Sequence, residues 1–553
     1  MTELLKVEDL SVSFASDERD VAAVRNVSFH IDEGEIVGLV GESGSGKTVT
    51  GMSILRLIPR PPGRIDSGRI LFRDEDLLQM PISDLRRIRG RDISVIFQEP
   101  MTALSPLHTV GRQLRESVLL HRDDMTRREA WELGVEWLDK VGIPDARARM
   151  SDYPYQFSGG MRQRVMIAMS LMLEPRLIIA DEPTTALDVT IQAQIFDLIL
   201  AMKGRNTSIL FITHDMGVIW ELCDRVMVMK DAHIVEEGSV DAIFHRPREA
   251  YTQDLLAAVP RLSDPPRRAS PAIEIPASES SPDEASPLID VGNVRTWFPI
   301  KRGVFARTVG HVKAVDGVSL SIRPRETFSL VGESGSGKTT LGRTILGLDK
   351  AREGTIHYAG RPLHDLPHRE LRRLRKNLQM IFQDPFSSLN PRLTVLGILT
   401  EGLAAHGLLD GHRRDVAARW LEEVGLEADH MHRYPHEFSG GQRQRICIAR
   451  AIAMQPEFIV CDEAVSALDV TIQAQVLDLL MELQGKYGVA YLFISHDLSV
   501  VKRISDRVAV MKDGRIIEHG RPEEVIGNPR DDYTKRLVDA VPNPGGPRRR
   551  GSV

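Results

Sequence analysis

The octet GESGSGKT fills residues 41–48 and recurs unchanged at residues 332–339. Each copy matches G-x-x-x-x-G-K-[ST], the phosphate-binding P-loop, in which glycines let the backbone wrap closely around a polyphosphate. Each copy follows an apolar run suited to a buried strand, residues 36–40 or 328–331, and precedes a helical pattern. Because that strand–loop–helix context supports the motif twice, the sequence predicts two nucleotide-binding sites.

Within each P-loop, different residue types have different expected roles. The glycine and serine backbone is expected to bind phosphates, since the following helix N-terminus directs N–H groups at negative charge. The lysine is expected to reach the terminal phosphates, and the threonine to hold Mg²⁺. The predicted nucleotide-binding residues are Gly41, Ser43, Gly44, Gly46, Lys47 and Thr48 in the first copy, and Gly332, Ser334, Gly335, Gly337, Lys338 and Thr339 in the second.

The bulk properties exclude several classes of protein. The chain has 553 residues and a net charge of −6, so we expect two or more domains and no nucleic-acid partner. Its three cysteines, Cys223, Cys447 and Cys461, fit neither a disulfide framework nor a metal site. No stretch approaches about 18 consecutive apolar residues, and the N-terminus lacks a signal-peptide pattern. These features predict a cytosolic chain without a membrane-spanning segment.

The two halves of the chain are similar well beyond the P-loops. The heptad DVTIQAQ, for example, occurs at residues 188–194 and again at 469–475. This indicates tandem duplication of one domain of roughly 250 residues. We predict domains at 1–260 and 288–542, each with a C-terminal tail. A flexible linker rich in Pro, Ser, Glu and Arg is predicted at 261–287, and a disordered basic tail at 543–553.

In each half, strand-like apolar runs alternate with helical patterns. This alternation predicts an α/β fold: two tandem P-loop NTPase cores, each with a largely parallel sheet. Residues 103–175 and 388–456 are mostly helical in pattern, and we assign them to a separate helical subdomain in each half. Polar residues follow several predicted strands, at the edge where open α/β sheets bind ligands.

Those strand ends carry the residue types that phosphoryl transfer requires. An Asp-Glu pair follows one strand, where the aspartate is expected to help hold Mg²⁺ and the glutamate to orient the attacking water. A histidine follows the next strand and is expected to contact the γ-phosphate, and a glutamine follows another and is expected to sense Mg²⁺. The predicted catalytic residues are Glu182, His214, Glu463 and His496; the predicted Mg²⁺ residues are Thr48, Gln98, Asp181, Thr339, Gln383 and Asp462.

A second repeated motif is FSGGMRQR at residues 157–164 and FSGGQRQR at 438–445. A serine followed by two glycines at the start of an apolar-periodic helix is typical of an N-cap that exposes backbone N–H groups. The motif therefore predicts a second phosphate-binding surface in each half. Its residues are Ser158, Gly159, Gly160 and Met161, and Ser439, Gly440, Gly441 and Gln442.

With these motifs in order, twice, nearly the whole chain resembles the ATP-binding cassette (ABC) ATPases. The order includes an Ala-Leu-Asp loop at 186–188 and 467–469. The resemblance implies two cassettes that face each other head to tail within one chain, forming a pseudo-dimer. Each ATP would lie between the P-loop of one cassette and the SGG signature of the other, so that Lys47 would pair with 439–442 and Lys338 with 158–161.

The resemblance also implies that both sites hydrolyse ATP. Met161 lacks the amide of Gln442, which predicts a somewhat less active site on that side. Phe14 and Phe298, ahead of the P-loops, resemble the aromatic residue that stacks on adenine in this family.

Each half ends in a similar tail, Pro…Tyr-Thr…Leu…Ala-Val-Pro, at residues 247–260 and 529–542. These tails resemble those of the peptide/nickel/glutathione importer ATPases, whose two ATPase subunits would be fused here. That resemblance implies an ATPase coupled to transmembrane transport, located at the cytoplasmic face of the membrane. Its partners would be two transmembrane permease subunits and an extracytoplasmic solute-binding protein. Some relatives hold an iron–sulfur cluster after the first cassette; residues 240–290 contain no cysteine, so no cluster is predicted.

Dipeptides or oligopeptides are the expected solute, and glutathione, nickel chelates and other peptide-like cargo stay open. A translation factor of the ABC class is a remote alternative. Such factors need a long charged helical linker, whereas the segment 261–287 is short and interrupted by prolines. An exporter ATPase fits the tails less well, and the zinc cysteines or long coiled-coil insertion of a DNA-repair ATPase are not found in the sequence.

Overall fold

The structure, a computed structural model, describes residues 2–15, 20–98, 103–184, 189–204, 206–262, 264, 286–302, 307–363, 366–466, 468–542, 544, 546 and 548. Most of the predicted linker and basic tail lies outside the described residues, as do residues 186–188 and Ala467 of the two Ala-Leu-Asp loops.

Both halves are built from the same succession of elements. The strands of the first half are β1 (Glu3–Phe14), β2 (Val21–Asp32), β3 (Ile36–Val40), β4 (Gly63–Phe72), β5 (Glu75–Asp76), β6 (Ile93–Ile96), β7 (Leu177–Asp181), β8 (Ser208–Thr213), β9 (Arg225–Lys230) and β10 (His233–Ser239). Its helices are α1 (Lys47–Ile54), α2 (Ile82–Ile88), α3 (Val110–Leu119), α4 (Arg127–Lys140), α5 (Ala146–Arg149), α6 (Gly159–Leu171), α7 (Val189–Met202), α8 (Met216–Leu222), α9 (Val240–His245) and α10 (Ala250–Ala258).

The second half repeats most of this order, with a 3₁₀ helix at Ala428–His432 where the first half has the short α-helix Ala146–Arg149. Its strands are β11 (Ile289–Arg302), β12 (Arg307–Ile322), β13 (Thr327–Val331), β14 (Glu353–Tyr358), β15 (Arg361–Pro362), β16 (Leu378–Ile381), β17 (Phe458–Asp462), β18 (Ala490–Ser495), β19 (Arg507–Lys512) and β20 (Arg515–Gly520). Its helices are α11 (Lys338–Ile345), α12 (His368–Leu374), α13 (Pro385–Ser388), α14 (Val395–Ala405), α15 (Arg413–Glu423), α16 (Gly440–Ile452), α17 (Val470–Tyr487), α18 (Leu498–Ile504), α19 (Pro522–Val525) and α20 (Asp532–Asp539).

A six-stranded sheet forms the centre of each half, with the strand order β10-β9-β3-β8-β7-β6 in the first and β20-β19-β13-β18-β17-β16 in the second. Among the described strands of these sheets, β10 runs antiparallel to β9 and β20 to β19, and the other neighbours are parallel. All five residues of β3 are buried, as are those of β13, because helices and a second sheet cover both faces of this parallel sheet. The predicted α/β class with a largely parallel sheet is confirmed.

A four-stranded antiparallel sheet is present in each half in addition, with the order β2-β1-β4-β5 and β12-β11-β14-β15. The sequence patterns did not reveal these sheets. Alternate residues of β3 face the two sides of the central sheet: Val37 and Leu39 join the apolar cluster beneath the antiparallel sheet, and Ile36 and Val40 join the cluster beneath the helices. The P-loop strand is therefore held between two cores.

Helices α3–α6 and α14–α16 account for the predicted helical subdomains. The chain then returns to the central sheet through β7 or β17, each of which ends at the aspartate of an Asp-Glu pair. The strands β3, β7 and β8 are parallel neighbours, so their carboxyl ends bring the P-loop, the acidic pair and the histidine to one edge of the sheet.

The C-terminal tail helices cross between the halves. Helix α10 of the first half packs on α17 of the second, and α20 of the second packs on α7 of the first. Farther along the second tail, Arg548 donates a hydrogen bond to the Trp220 carbonyl oxygen (2.8 Å) in the first half. Among the described residues, none of the helices combines the length and apolar character needed to cross a bilayer.

Candidate nucleotide sites

The backbone of each P-loop adopts, at its last glycine, a shape that a residue with a side chain would not tolerate. Gly46, which caps α1, has φ of 105°, and a Cβ there would lie 2.2 Å from the carbonyl oxygen of Ala23. Gly337 has the same φ, and its Cβ would lie 2.0 Å from the Ala314 oxygen. The backbone of β2, or of β12 in the second half, therefore constrains the path of the P-loop.

Each P-loop lysine is buried and held by its own loop. Lys47 Nζ donates to the carbonyl oxygens of Gly41 and Glu42, both at 2.8 Å. Lys338 Nζ makes the same contacts with Gly332 (2.7 Å) and Glu333 (2.8 Å). Burial lowers the pKa of Lys47, because it removes water from the charged ammonium group and the nearby carboxylates supply too little negative charge to offset this. A polyphosphate would supply that negative charge.

The threonine that ends each P-loop is bonded to the aspartate of the acidic pair. Thr48 Oγ1 donates to Asp181 Oδ1 at 2.9 Å, and Thr339 Oγ1 donates to Asp462 Oδ1 at 2.8 Å. Burial raises the pKa of Asp181 to about 6. A hydroxyl oxygen beside a buried carboxylate suits a hard cation such as Mg²⁺, which binds proteins through few oxygen ligands. The residues present therefore fit the predicted metal.

The glutamate of each pair is held by two other predicted site residues. Glu182 accepts from Gln98 Nε2 through one carboxylate oxygen (2.9 Å) and contacts His214 Nδ1 through the other (3.0 Å). In the second half, Gln383 Nε2 donates to Glu463 Oε2 (2.8 Å), and His496 Nδ1 lies 3.4 Å from the same oxygen. The structure thus brings each predicted catalytic pair into contact.

Both glutamates have a left-handed backbone, with φ of 44° at Glu182 and 46° at Glu463. This conformation is costly for a residue with a side chain, and it persists where the surroundings over-determine it. Here the Glu182 N–H donates to the carbonyl oxygen of Ile212 in β8 (2.8 Å), and Glu463 N–H does the same to Ile494 in β18 (3.0 Å). The bend turns the carboxylate toward the P-loop edge.

The histidine and the glutamate influence each other's ionisation. Burial alone would lower the pKa of His214, but its hydrogen bond to Glu182 and the charge of that carboxylate together raise it. For Glu463, burial acts to raise the pKa, but the hydrogen bond and charge of His496 outweigh it and lower the pKa. These shifts favour the charged forms of His214 and Glu463.

The predicted N-caps of the signature helices are confirmed, and they differ between the halves. Ser158 Oγ accepts from the Met161 N–H, and Ser439 Oγ accepts from the Gln442 N–H, both at 3.3 Å. The Gln442 side chain also accepts from the Ser439 N–H (3.1 Å), which completes a capping box. The side-chain amide of Gln442 therefore caps its own helix, which the thioether side chain of Met161 cannot do.

Each P-loop contacts the opposite half of the chain. The Ser43 N–H donates to Asp469 Oδ2 at 2.8 Å, and Thr471 Oγ1 donates to Glu42 Oε1 at 2.8 Å. In the reciprocal position, Thr190 Oγ1 donates to Glu333 Oε1 at 2.7 Å. A cavity of about 160 Å³ lies between the halves, and the residues lining it include both predicted catalytic histidines, His214 and His496. The two halves are therefore interlocked at the P-loops.

The two candidate adenine-stacking residues are equivalent in register. Phe14 pairs with Val21 at the end of β1, and Phe298 pairs with Val312 in β11. Phe14 packs against the core beneath the antiparallel sheet, whereas Phe298 is 42% exposed. Their contact with adenine stays a prediction.

The contacts of the two P-loop glutamates with tyrosines and with threonines were not assigned from the sequence. The Glu42 N–H donates to the hydroxyl oxygen of Tyr251 (3.1 Å), and the Glu333 N–H donates to that of Tyr533 (3.0 Å). Both tyrosines belong to the repeated tail motif, and the threonines that contact the glutamates belong to the repeated DVTIQAQ heptad. The sequence marks these tyrosines and threonines because their motifs recur in both halves, but recurrence does not indicate which residues they contact.

Comparison with known proteins identifies the family of this chain. The family described as ABC transporter matches residues 24–185 and 315–466, and the family described as oligopeptide/dipeptide transporter, C-terminal region, matches 235–286 and 517–553. The chain therefore belongs to the ABC transporter family, with two ABC domains in one chain, and the predictions of family and fold are confirmed.

The chain is similar over nearly its full length to curated members of that family. It is 49% identical over 558 residues to the glutathione import ATP-binding protein GsiA of Escherichia coli O157:H7, covering 98% of this chain and 89% of the relative. It is also 49% identical over 560 residues to the GsiA protein of Escherichia coli strain K12, with the same coverage. A solved structure of the ATP-binding cassette MJ0796, dimeric and bound to ADP and Pi, is 30% identical over 42% of this chain and 98% of that one, with a TM-score of 0.38.

Proposed function

We propose that this chain is the ATP-hydrolysing component of an importer for short peptides and peptide-like solutes. The observation that carries the proposal is the pair of complete, interlocked P-loop sites, each in contact with the opposite half through Glu42 and Thr471 or Glu333 and Thr190. The match of both tails to the oligopeptide/dipeptide transporter region, and the 49% identity to glutathione import proteins, support the solute class.

ATP binding to the two P-loops draws the halves together. In each site the lysine, buried beside its own carbonyl oxygens, turns to the β- and γ-phosphates, and the signature helix of the opposite half supplies N–H groups to the γ-phosphate. This pairs Lys47 with 439–442 and Lys338 with 158–161. Contacts that exist only when both halves engage the γ-phosphate favour the closed arrangement by differential binding.

Hydrolysis then releases that closed arrangement. Thr48 with Asp181, and Thr339 with Asp462, would hold Mg²⁺, which would supply positive charge to stabilise the phosphate oxygens. The glutamate beside each aspartate orients the attacking water, and its histidine partner holds the carboxylate in place and contacts the γ-phosphate. Loss of that phosphate removes the bridge between the halves, which part again.

The helical subdomains transmit this motion to two membrane permease subunits. In support, each half carries an exposed aromatic stack directly before its signature: Tyr153 on Tyr155 (5.7 Å between ring centroids) and Tyr434 on His436 (5.8 Å). Tyr155 is 64% exposed and Tyr434 41%. Two equivalent exposed aromatic surfaces suit two equivalent partners, and we place the cytoplasmic loops of the permease subunits there. The chain then works at the cytoplasmic face of the membrane, with an extracytoplasmic solute-binding protein that delivers the solute.

Glutathione, itself a tripeptide, is the first solute to test, followed by dipeptides, oligopeptides and nickel chelates. The chain would be reconstituted with the permease subunits and binding protein encoded beside it, and ATP hydrolysis measured with each solute. Stimulation by a peptide or by glutathione, lost in Glu182→Gln or Glu463→Gln, is the expected result. Stimulation by nickel chelates alone would change the solute class. Hydrolysis that ignores the membrane partners and accompanies ribosomes would overturn the proposal.

A further inference from the structure

The second residue of each P-loop lies at a junction of three contacts. In the first half this residue is Glu42. Its carbonyl oxygen accepts from Lys47 Nζ (2.8 Å), its N–H donates to the Tyr251 hydroxyl (3.1 Å), and its carboxylate accepts from Thr471 of the opposite half (2.8 Å). One residue therefore contacts the phosphate-binding lysine, the chain's own tail and the facing half.

The same junction recurs at Glu333 in the second half. Its carbonyl oxygen accepts from Lys338 Nζ (2.8 Å), its N–H donates to the Tyr533 hydroxyl (3.0 Å), and its carboxylate accepts from Thr190 (2.7 Å). Nothing in the P-loop pattern requires a glutamate at this position, since the pattern leaves it open. All three contacts are present in both copies of the duplicated domain, which indicates that the arrangement has a use.

The tail helices are placed to connect the two halves at this junction. Tyr251 is the second residue of α10, and α10 packs on α17, whose second residue is Thr471. Tyr533 is likewise the second residue of α20, which packs on α7, whose second residue is Thr190. Each tail helix thus touches its own P-loop and the helix of the opposite half that contacts the same P-loop glutamate.

The tyrosine hydroxyl is suited to a fixed, neutral contact. Burial raises the pKa of Tyr251 to about 12, so the phenol keeps its proton. The Lys230 ammonium group lies 4.6 Å from the centre of the Tyr251 ring, and Lys512 lies 5.1 Å from that of Tyr533, which fixes the ring from outside. A tyrosine-to-phenylalanine change would keep the ring and this cation contact and remove only the oxygen.

We infer that Tyr251 and Tyr533 are positioning residues that hold each P-loop glutamate in register with the threonine of the opposite half. The tail thereby links ATP binding at a P-loop to closure of the two halves, which gives the tail region a role in the ATPase cycle. This inference rests on the proposed ATPase function. It predicts that removing the tyrosine hydroxyl weakens ATP binding without any change in the residues that touch ATP.

The test measures equilibrium binding of Mg-ATP to the full chain in variants changed in both copies. Tyr251→Phe with Tyr533→Phe leaves two glutamate N–H groups without their acceptor, and Thr190→Val with Thr471→Val removes the donors to the carboxylates. We expect each pair to weaken ATP binding about tenfold. The variant with all four changes should have a Kd for ATP within about threefold of that of the double variant that binds ATP more weakly, since both pairs act through the same glutamates.

Tyr358→Phe is the matched control. Its hydroxyl accepts from Asn377 Nδ2 (2.9 Å) away from the P-loops, and burial raises its pKa to about 12 as well. Thermal unfolding would show whether the tyrosine pair folds as well as this control. ATP binding equal to that of Tyr358→Phe, or a four-change effect near hundredfold, would overturn the inference. Failure of the unchanged chain to bind ATP, or binding that survives Lys47→Ala with Lys338→Ala, would instead overturn the proposed function and the inference with it.

Discussion

At the scale of single residues, each site is organised around one glutamate. Glu182 is bent by its left-handed backbone and held from two sides by Gln98 and His214. These contacts restrict rotation of the Glu182 side chain, so its carboxylate keeps one orientation before nucleotide binds. A preorganised group needs little rearrangement at the moment of reaction.

Replacement of this carboxylate tests the assignment. In Glu182→Gln or Glu463→Gln, the amide keeps the shape of the side chain but cannot polarise water as a carboxylate does, so we expect hydrolysis at the altered site to fall by about 100-fold or more. ATP binding should persist, because the P-loop is unchanged. Steady-state phosphate release and nucleotide binding would be measured side by side. Glu174→Gln, an exposed glutamate, is the control; an equal loss there, or full activity in either site variant, would contradict the assignment.

The predicted site residues could be read from the sequence because each stands next to a strand or loop with a distinctive pattern. The contacts among them could not. Nothing in the pattern around Glu182 signals a positive φ, since that conformation follows from the hydrogen bond to Ile212 in a neighbouring strand. Tyr251 was missed for the same reason: its partner, Glu42, is 209 positions away in the chain, and spacing alone carries no information about such a contact.

At the scale of elements, strand β2 shapes the P-loop through its backbone. Gly46 and Gly44 both have positive φ, 105° and 80°, but only a Cβ at Gly46 would collide with a neighbouring carbonyl oxygen, whereas a Cβ at Gly44 would meet no atom within 4 Å. The two glycines therefore separate the cost of the backbone conformation from the cost of the close approach.

Gly44→Ala is expected to cost about 1–2 kcal/mol of folding free energy from its backbone conformation alone. Gly46→Ala should cost about 2 kcal/mol more, because the loop must move away from Ala23. Thermal or denaturant unfolding without nucleotide measures both changes. Equal destabilisation by the two substitutions would show that β2 does not constrain the loop.

The asymmetry of the signature helices leads to a stability prediction. Met161→Gln should complete the capping box at α6 and raise the free energy of unfolding by about 0.5 kcal/mol, and Gln442→Met should lose a similar amount at α16. Denaturant unfolding of the two variants would be compared with the unchanged chain. If Met161→Gln alters the rate of hydrolysis but not stability, the amide acts on nucleotide rather than on its own helix.

The elements that the sequence predicted well are those with continuous apolar runs, such as β3 and β7. Both faces of these strands are buried, so they show no alternation of polar and apolar residues that could be misinterpreted. The antiparallel sheets were missed because their strands are long and irregular. β1 pairs with β2 and β4 through several register shifts, which interrupt the period of two that a regular exposed strand would show.

At the scale of the whole molecule, the tails connect the halves. The guanidinium of Arg548 donates to the carbonyl oxygens of Trp220 and Cys223 at the end of α8, and it lies 5.7 Å from the centre of the Trp220 ring. A contact of this kind holds the halves together independently of nucleotide, because none of these groups belongs to an ATP site.

Arg548→Ala is therefore expected to weaken association of the halves about tenfold, as judged after cleavage at a protease site placed in the linker. Gel filtration of the cleaved chain without nucleotide would measure the separated fraction. Lys535→Ala, which removes a surface ion pair with Asp532 in the same tail, is the control. Association that is equally weakened in both variants would contradict a specific role for Arg548.

The central claim is that two interlocked ATP sites in one chain drive inward transport of a peptide-like solute. The most direct measurement is uptake of radiolabelled glutathione into proteoliposomes that hold the permease subunits, with this chain and ATP inside and the binding protein outside. We predict uptake that requires ATP and is lost in the Glu182→Gln and Glu463→Gln variants. Absence of ATP-dependent uptake of glutathione and of every peptide tested, in vesicles where the unchanged chain hydrolyses ATP, would contradict the account.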